Sequence, residues 1–310
     1  MPADQHPTPT STSPSTTTLR DWVAGARPRT LPAAVVPVAV GAGAAAGLGE
    51  SFGDGVVWWR VAAALTVSLL LQIGVNYAND YSDGVKGTDD VRVGPMRLVA
   101  TGTASPRAVK TAALASLGLA AVVGLGLAIA TTWWLLTVGA VAILAAWGYT
   151  GGPKPYGYLG LGEVFVFVFF GLVATVGTTF VAIEEIPAVT WVAATGVGFL
   201  ACALLVINNL RDIPTDREVG KRTLAVRLGD RRTRSLYAAL MVGAFLCAAL
   251  CAGYRPWSLL ALAGLGAGRE PIQRVLAGAA GKELIPVLGE TGRTQLVFGL
   301  LLAVGLALGS

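Results

Sequence analysis

Long uninterrupted apolar blocks dominate the pattern of hydrophobic and polar positions, where a soluble fold would show strand alternation or one-sided helical stripes. The blocks fall at 31–48, 61–78, 111–130, 133–149, 164–183, 189–207, 236–253, 257–268 and 296–308. Most approach the roughly 20 residues that a helix needs to cross a hydrocarbon core. Barrel strands would instead read as alternating segments of about ten residues. The pattern therefore predicts an all-α fold, a polytopic membrane helix bundle of about nine transmembrane helices. The blocks at 257–268 and 296–308 are short for a span, so each must borrow flanking residues or sit tilted and shielded by its neighbours. Eight spans is the alternative count.

The polar segments divide the chain and orient it. Residues 1–18 are rich in Pro, Ser and Thr, a composition that cannot bury a core and predicts a disordered tail before an intramembrane domain at 19–310. That tail lacks the basic start and apolar stretch of a signal peptide. With the N-terminus inside, 21 of the 23 Lys and Arg residues fall in inner segments, leaving only Arg60 and Arg255 outside. This is the positive-inside asymmetry, and it explains the net charge of +5 without a nucleic-acid partner, because the basic residues do not share one polar face. Only 13% of the chain is charged, about half of what a soluble protein carries, so a soluble enzyme is excluded. Cys202, Cys247 and Cys251 lie inside apolar blocks without a CxxC pair, which supports neither a zinc site nor a disulfide framework. The single histidine, His6, sits in the tail, so the folded part has no histidine acid or base.

Candidate chemistry lies where the second and sixth blocks end. The second runs into Asn76, Asp80 and Asp83, and the sixth into Asn208, Asp212 and Asp216. Both segments contain NxxxD at an offset of 132 residues, and an even number of spans between them opens both on the cytoplasmic side. This reads as a parallel internal repeat. On a helix, residues three or four apart share a face, so each set projects acids together, which is repulsive unless a cation sits among them. Carboxylates and amide oxygens suit a hard cation, and Mg²⁺ typically takes one or two carboxylates plus substrate phosphates. Lys86, Arg92, Arg97, Lys221 and Arg222 would neutralise the rest of a diphosphate. Interfacial anchoring is the plainer reading of charges at span ends, but it does not account for two matching motifs on one side, each with a basic cluster. For Arg231, Arg232, Arg234, Arg269, Arg274 and Lys282 the topology reading suffices, and Glu184 and Glu185, on the outer face, receive no role.

These residues resemble the two aspartate-rich motifs of the UbiA superfamily of intramembrane prenyltransferases. NDYSDGVKGTDD at 79–90, GPMR at 94–97, YTGGPKPYGYLGLGE at 149–163 and NNLRDIPTDREVGKRTLAVRLG at 208–229 are similar to the branch that prenylates 1,4-dihydroxy-2-naphthoate in menaquinone synthesis. The first motif here is DxxD rather than the DxxxD of many members, with Asp89 and Asp90 following, so which of Asp83, Asp89 and Asp90 meets metal stays open. The resemblance implies nine helices, Mg²⁺ as cofactor, with Asn76, Asp80, Asp83, Asn208, Asp212 and Asp216 as its ligands, and a polyprenyl diphosphate and the naphthoate as substrates. It further implies a bacterial plasma membrane protein in contact with lipid. Glycines and prolines break any helix between Tyr149 and Glu163. That segment reads as a plain loop or as part of a cavity; the resemblance tips it to the active site, with Lys154 as a diphosphate contact, Tyr149 near the allylic carbon, and Glu163 as either an acceptor contact or a helix cap.

The implied reaction neutralises the diphosphate with Mg²⁺ and basic residues, ionises the allylic bond, and lets the naphthoate ring attack with loss of CO₂, giving demethylmenaquinone. Other acceptors of the same superfamily (4-hydroxybenzoate, homogentisate, haem, a phosphosugar) are the nearest alternative. A secondary transporter would also carry repeats and intramembrane charges, but it would not need both acidic motifs on one side. A CDP-alcohol phosphotransferase would carry a single compact aspartate motif, which is absent.

Overall fold

The computed structural model of the protein describes residues 17–87 and 97–309, and among these every regular element is helical. Helix α1 (Leu19–Gly25) turns through a 3₁₀ segment, Pro28–Thr30, into α2 (Pro32–Ala46) at 54°. Then come α3 (Trp58–Val85), α4 (Pro106–Ala130), α5 (Trp134–Gly148) and α6 (Gly162–Ile183). The long α7 (Ala188–Glu218), the short α8 (Leu224–Leu228) and α9 (Asp230–Cys251) follow, and after a 3₁₀ stretch, Pro256–Gly264, come α10 (Leu265–Leu276) and α11 (Leu284–Ala307).

Each apolar block of the sequence but the one at 257–268 falls on one of these helices, and the ends differ. Helices α3 and α7, 28 and 31 residues long, overrun their blocks and carry both acidic motifs as continuing helix. At 1.5 Å per residue they measure about 42 and 46 Å, longer than a hydrocarbon core of about 30 Å, so the polar turns project beyond it. The final block grows into the 24-residue α11 by borrowing upstream residues. By length and composition, six helices of the described residues qualify as spans, or seven when the bent α1–α2 pair counts as one. The expected nine is therefore not reached on that criterion: α5 has only 15 residues, and the block at 257–268 is divided between 3₁₀ and α helix. The protein is a multi-pass membrane protein.

Packing follows small residues and shared apolar faces. Helix α3 lies on α4, α7 on α9, and α2 on α11, around a core that includes Val36, Val197, Leu200, Tyr237, Met241, Phe298 and Leu302. Where α6 crosses α7, Gly171 and Gly198 face each other so closely that a β-carbon on Gly171 would lie 2.6 Å from the Gly198 Cα. Small residues permit such backbone approach between membrane helices. Beside this crossing α6 widens into a π-helical turn at Phe167–Val173, a device common at functional sites.

The two arginines that the charge count left on the outer face have a common structural task. Arg60 donates to the carbonyls of Ala130 (2.7 Å) and Val181 (3.3 Å) and pairs with Glu184 at 2.7 Å. Arg255 donates to Leu306 O at 2.7 Å and Gly43 O at 3.4 Å. Both satisfy carbonyls in the last turns of helices, which have no intrahelical donor. Glu184, which received no role from the sequence, thus holds one of these clamps.

Candidate active site

A cavity of about 710 Å³ runs between the helices, with acids and bases at one end and apolar and aromatic walls beyond. The wall follows α3 from Ala64 to Asp83, about 28 Å at the helical rise of 1.5 Å per residue. Val67, Leu135, Phe169, Phe170 and Val181 line the apolar part. At the polar end the C-terminal turns of α3 and α7 meet, so both motifs do open on one side of the bundle. Asn76, Asp83, Arg97, Tyr149, Asn208, Asp212, Asp216 and Lys221 all line it.

On the first motif, Asp83 is buried, and Lys221 Nζ lies 3.2 Å and Arg97 Nη2 3.8 Å from its carboxylate. The Tyr158 hydroxyl donates to the same carboxylate, and the Lys221 ammonium sits 4.7 Å from the Tyr158 ring centroid. One acid is thereby surrounded by groups from three separated stretches of chain. Asn76 donates to Ala26 O (2.9 Å) and Thr30 Oγ1 (3.2 Å). Gln72, one turn earlier, reaches Thr30 Oγ1 at 3.1 Å, so the bend between α1 and α2 is hydrogen-bonded to the motif helix.

On the second motif, Arg211 grips Asp212 through Nε (2.7 Å) and Nη2 (2.8 Å), and the same Nη2 lies 2.7 Å from Asn208 Oδ1. A bidentate arginine fixes a carboxylate in angle as well as position. Asn209, also on the cavity wall, donates to Glu163 Oε1 at 3.0 Å. Tyr149 closes the wall where α5 ends, its ring edge-on to that of Tyr156 at a centroid distance of 5.5 Å.

Other expected residues stand elsewhere. Asp80 does not line the cavity. It is fully buried, and its two oxygens accept the backbone amides of Leu98 (2.8 Å) and Val99 (3.0 Å), tying down the chain that returns after the first motif. Lys154 and Arg222 are exposed and outside the cavity wall. Lys86 turns to the loop after α5, donating to Thr150 O (2.7 Å) and Gly152 O (3.3 Å), and burial holds its pKa below the ordinary lysine value. Arg92, Asp89 and Asp90 lie outside the described residues, as do His6 and most of the tail. Reading the sequence missed Gln72, Asn79, Tyr156, Tyr158, Asn209 and Arg211. Helical spacing marks Gln72 as one turn before Asn76, and Asn209 adjoins the predicted Asn208; nothing local marks Tyr158.

Among the described residues, no three acids, histidines or cysteines cluster tightly enough to enclose a metal by themselves. The cavity instead presents dispersed carboxylates, amides and cations, a donor set that fits a hard cation sharing its shell with phosphate oxygens.

Known proteins resemble this chain in sequence and in fold. The profile of the UbiA prenyltransferase family matches residues 34–275. The 1,4-dihydroxy-2-naphthoate octaprenyltransferase of Mycobacterium tuberculosis is 51% identical over 93% of this chain and 97% of its own. The Escherichia coli protein of the same name is 38% identical over 74% and 75%. A UbiA homologue from Archaeoglobus fulgidus, solved bound to GPP and Mg²⁺, superposes with a TM-score of 0.58 at 15% identity, covering 91% of this chain and 99% of that one, which shows the shared fold. With the profile spanning both motif helices and relatives alike over most of its length, the chain belongs to the UbiA prenyltransferase family.

Proposed function

We propose that the protein transfers a polyprenyl group from its diphosphate to 1,4-dihydroxy-2-naphthoate, with decarboxylation, to give CO₂, diphosphate and the dihydroxy (quinol) form of demethylmenaquinone. The observation that carries the reading is the single cavity whose acidic and basic end, supplied by both motif helices, continues into an apolar bore. A diphosphate on a long isoprenoid has that same division of polarity. The naphthoate is supported by the likeness to proteins named for that acceptor.

Asp83, Asp212 and Asp216, with an amide oxygen of the asparagine cluster, would hold Mg²⁺, which neutralises the diphosphate as the C–O bond breaks. Lys221 and Arg97, already beside Asp83, take up leaving-group charge. Arg211 keeps Asp212 aimed. Tyr149, Tyr156 and Phe165 line the cavity, and their aromatic faces favour an allylic cation while the apolar wall excludes water. Asp80 holds the loop that delivers Arg97. Attack by the ring carbon bearing the carboxylate leaves the electron pair of the departing CO₂ in the ring, so no ring proton needs a base.

Purified protein given 1,4-dihydroxy-2-naphthoate, a prenyl diphosphate and Mg²⁺ is expected to release CO₂ one for one with pyrophosphate. 1,4-Dihydroxynaphthalene should be a poor acceptor. A prenylated product that keeps its carboxylate would move 4-hydroxybenzoate-type chemistry ahead.

The polar end faces the cytoplasm, a reading supported by the distribution of Lys and Arg. Cysteines placed at the exposed positions Lys154 and Val219 are expected to react with an impermeant maleimide only from the cytoplasmic side, and one at exposed Glu185 only from the other. The native cysteines are buried. Labelling of Lys154→Cys and Val219→Cys from opposite sides would refute the arrangement.

A further inference from the structure

Helix α7 brings two consecutive asparagines to the cavity wall, and their amides are committed differently. The Asn208 oxygen already accepts from Arg211. Asn209 is oriented from behind by Glu163, at the start of α6: its Nδ2 lies 3.0 Å from Glu163 Oε1. A carboxylate only accepts, so the amide NH₂ must face Glu163 and the carbonyl oxygen must face away from it. Among the described residues no donor reaches that oxygen, although Asn209 borders the cavity.

Glu163 itself is 8% exposed, and its second oxygen, Oε2, is buried without a hydrogen-bond partner among the described residues. A buried carboxylate is costly unless paired. The first turn of α6, where Glu163 lies, offsets part of that cost through the positive end of the helix dipole. An acid kept in that position, and bonded to one asparagine, is explained by what the asparagine must do.

Resting on the prenyl-transfer reading above, we infer that Asn209 supplies the amide oxygen through which the second motif holds the metal–diphosphate complex. Glu163 is then a positioning residue that acts through Asn209 and does not touch substrate. Glu163 emerges as neither an acceptor contact nor only a helix cap.

The test uses full-length detergent-purified protein and the binding of Mn²⁺ in the presence of inorganic pyrophosphate, read by electron paramagnetic resonance, beside the Mg²⁺ dependence of the initial rate. Removing an outer partner of a metal ligand typically weakens affinity about 10–100-fold. Asn209→Ala and Glu163→Leu should each weaken Mn²⁺ by that factor and raise the half-saturating Mg²⁺ in proportion. Glu163→Gln can still accept the same bond through its own carbonyl oxygen and should stay within about threefold of the parent, well short of that loss. The double variant Asn209→Ala/Glu163→Leu should be no weaker than Asn209→Ala alone, because residues acting through one contact are not additive.

Parent-like Mn²⁺ binding by Asn209→Ala overturns the inference. So do losses that multiply in the double variant, or a Glu163→Gln as defective as Glu163→Leu, which would mean that the charge of Glu163 acts directly. If Glu163→Leu does not fold, Asn209→Ala and Glu163→Gln decide the matter. Asp212→Ala separates the two readings: loss of Mn²⁺ there with parent-like Asn209→Ala defeats this inference alone, whereas a parent that binds no Mn²⁺–pyrophosphate defeats both.

Discussion

Asp212→Ala and Asp83→Ala are each expected to lower turnover at least about 10²–10³-fold, the usual effect of removing one preorganised group that stabilises charge in a transition state. The reason lies in how each acid is held. Asp212 is buried and clasped by both Nε and Nη2 of Arg211, and Asp83 is flanked by Lys221, Arg97 and Tyr158. Neither is free to be replaced by a neighbour. Removing Asp83 also takes away the carboxylate that lies beside the buried Lys221 and Arg97, and with it the contact that positions both cations for the diphosphate. The same protein should lose activity in EDTA and regain it with Mg²⁺. Glu185→Gln, an exposed change at the opposite end of the helices, serves as the control and should turn over as the parent does. Turnover by either aspartate variant within tenfold of the parent would remove the carboxylates from the proposed reaction.

Asp80→Ala is expected to fail in a different way, by loosening the fold near the site. Its carboxylate accepts the Leu98 and Val99 amides in full burial, and hydrogen bonds to charged groups contribute about 1.5–3 kcal/mol each, so roughly 3–6 kcal/mol is at stake. Leu98 is itself buried, packed with Tyr77, Ala104, Val109 and Ala113. Losing the anchor should therefore lower the thermal unfolding midpoint and free the segment that carries Arg97. Asp80→Asn should rescue only part of the loss, since an amide offers one acceptor oxygen where two donors wait. Measurement of the unfolding midpoint together with the half-saturating prenyl diphosphate concentration separates this from the Asp212 case. An Asp80→Ala protein as stable as the parent, yet inactive, would return Asp80 to the metal.

The membrane helices and their two chemical ends were legible in the amino-acid order because both are local properties. A block of about twenty apolar residues needs no partner to declare itself, and the overruns of α3 and α7 carry NxxxD at helical spacing in the sequence itself. That both motifs open on one side also followed from counting blocks. What only the tertiary structure decided is which member of each motif looks into the cavity. A helix presents every residue to some direction, and its rotation is set by packing such as the Gly171–Gly198 crossing, so Asp80 and Asp83, three apart, part company: one serves a distant backbone, the other the cavity. Basic residues behave likewise. Lys154 and Arg222 sit in suggestive stretches yet point to solvent, whereas Arg211 is buried against Asp212. Tyr158 and Glu163 reach their partners from a 3₁₀ turn and a helix start across 75 and 46 residues of sequence. Contacts over such separations depend on how the helices close around one another, and no short-range pattern encodes them.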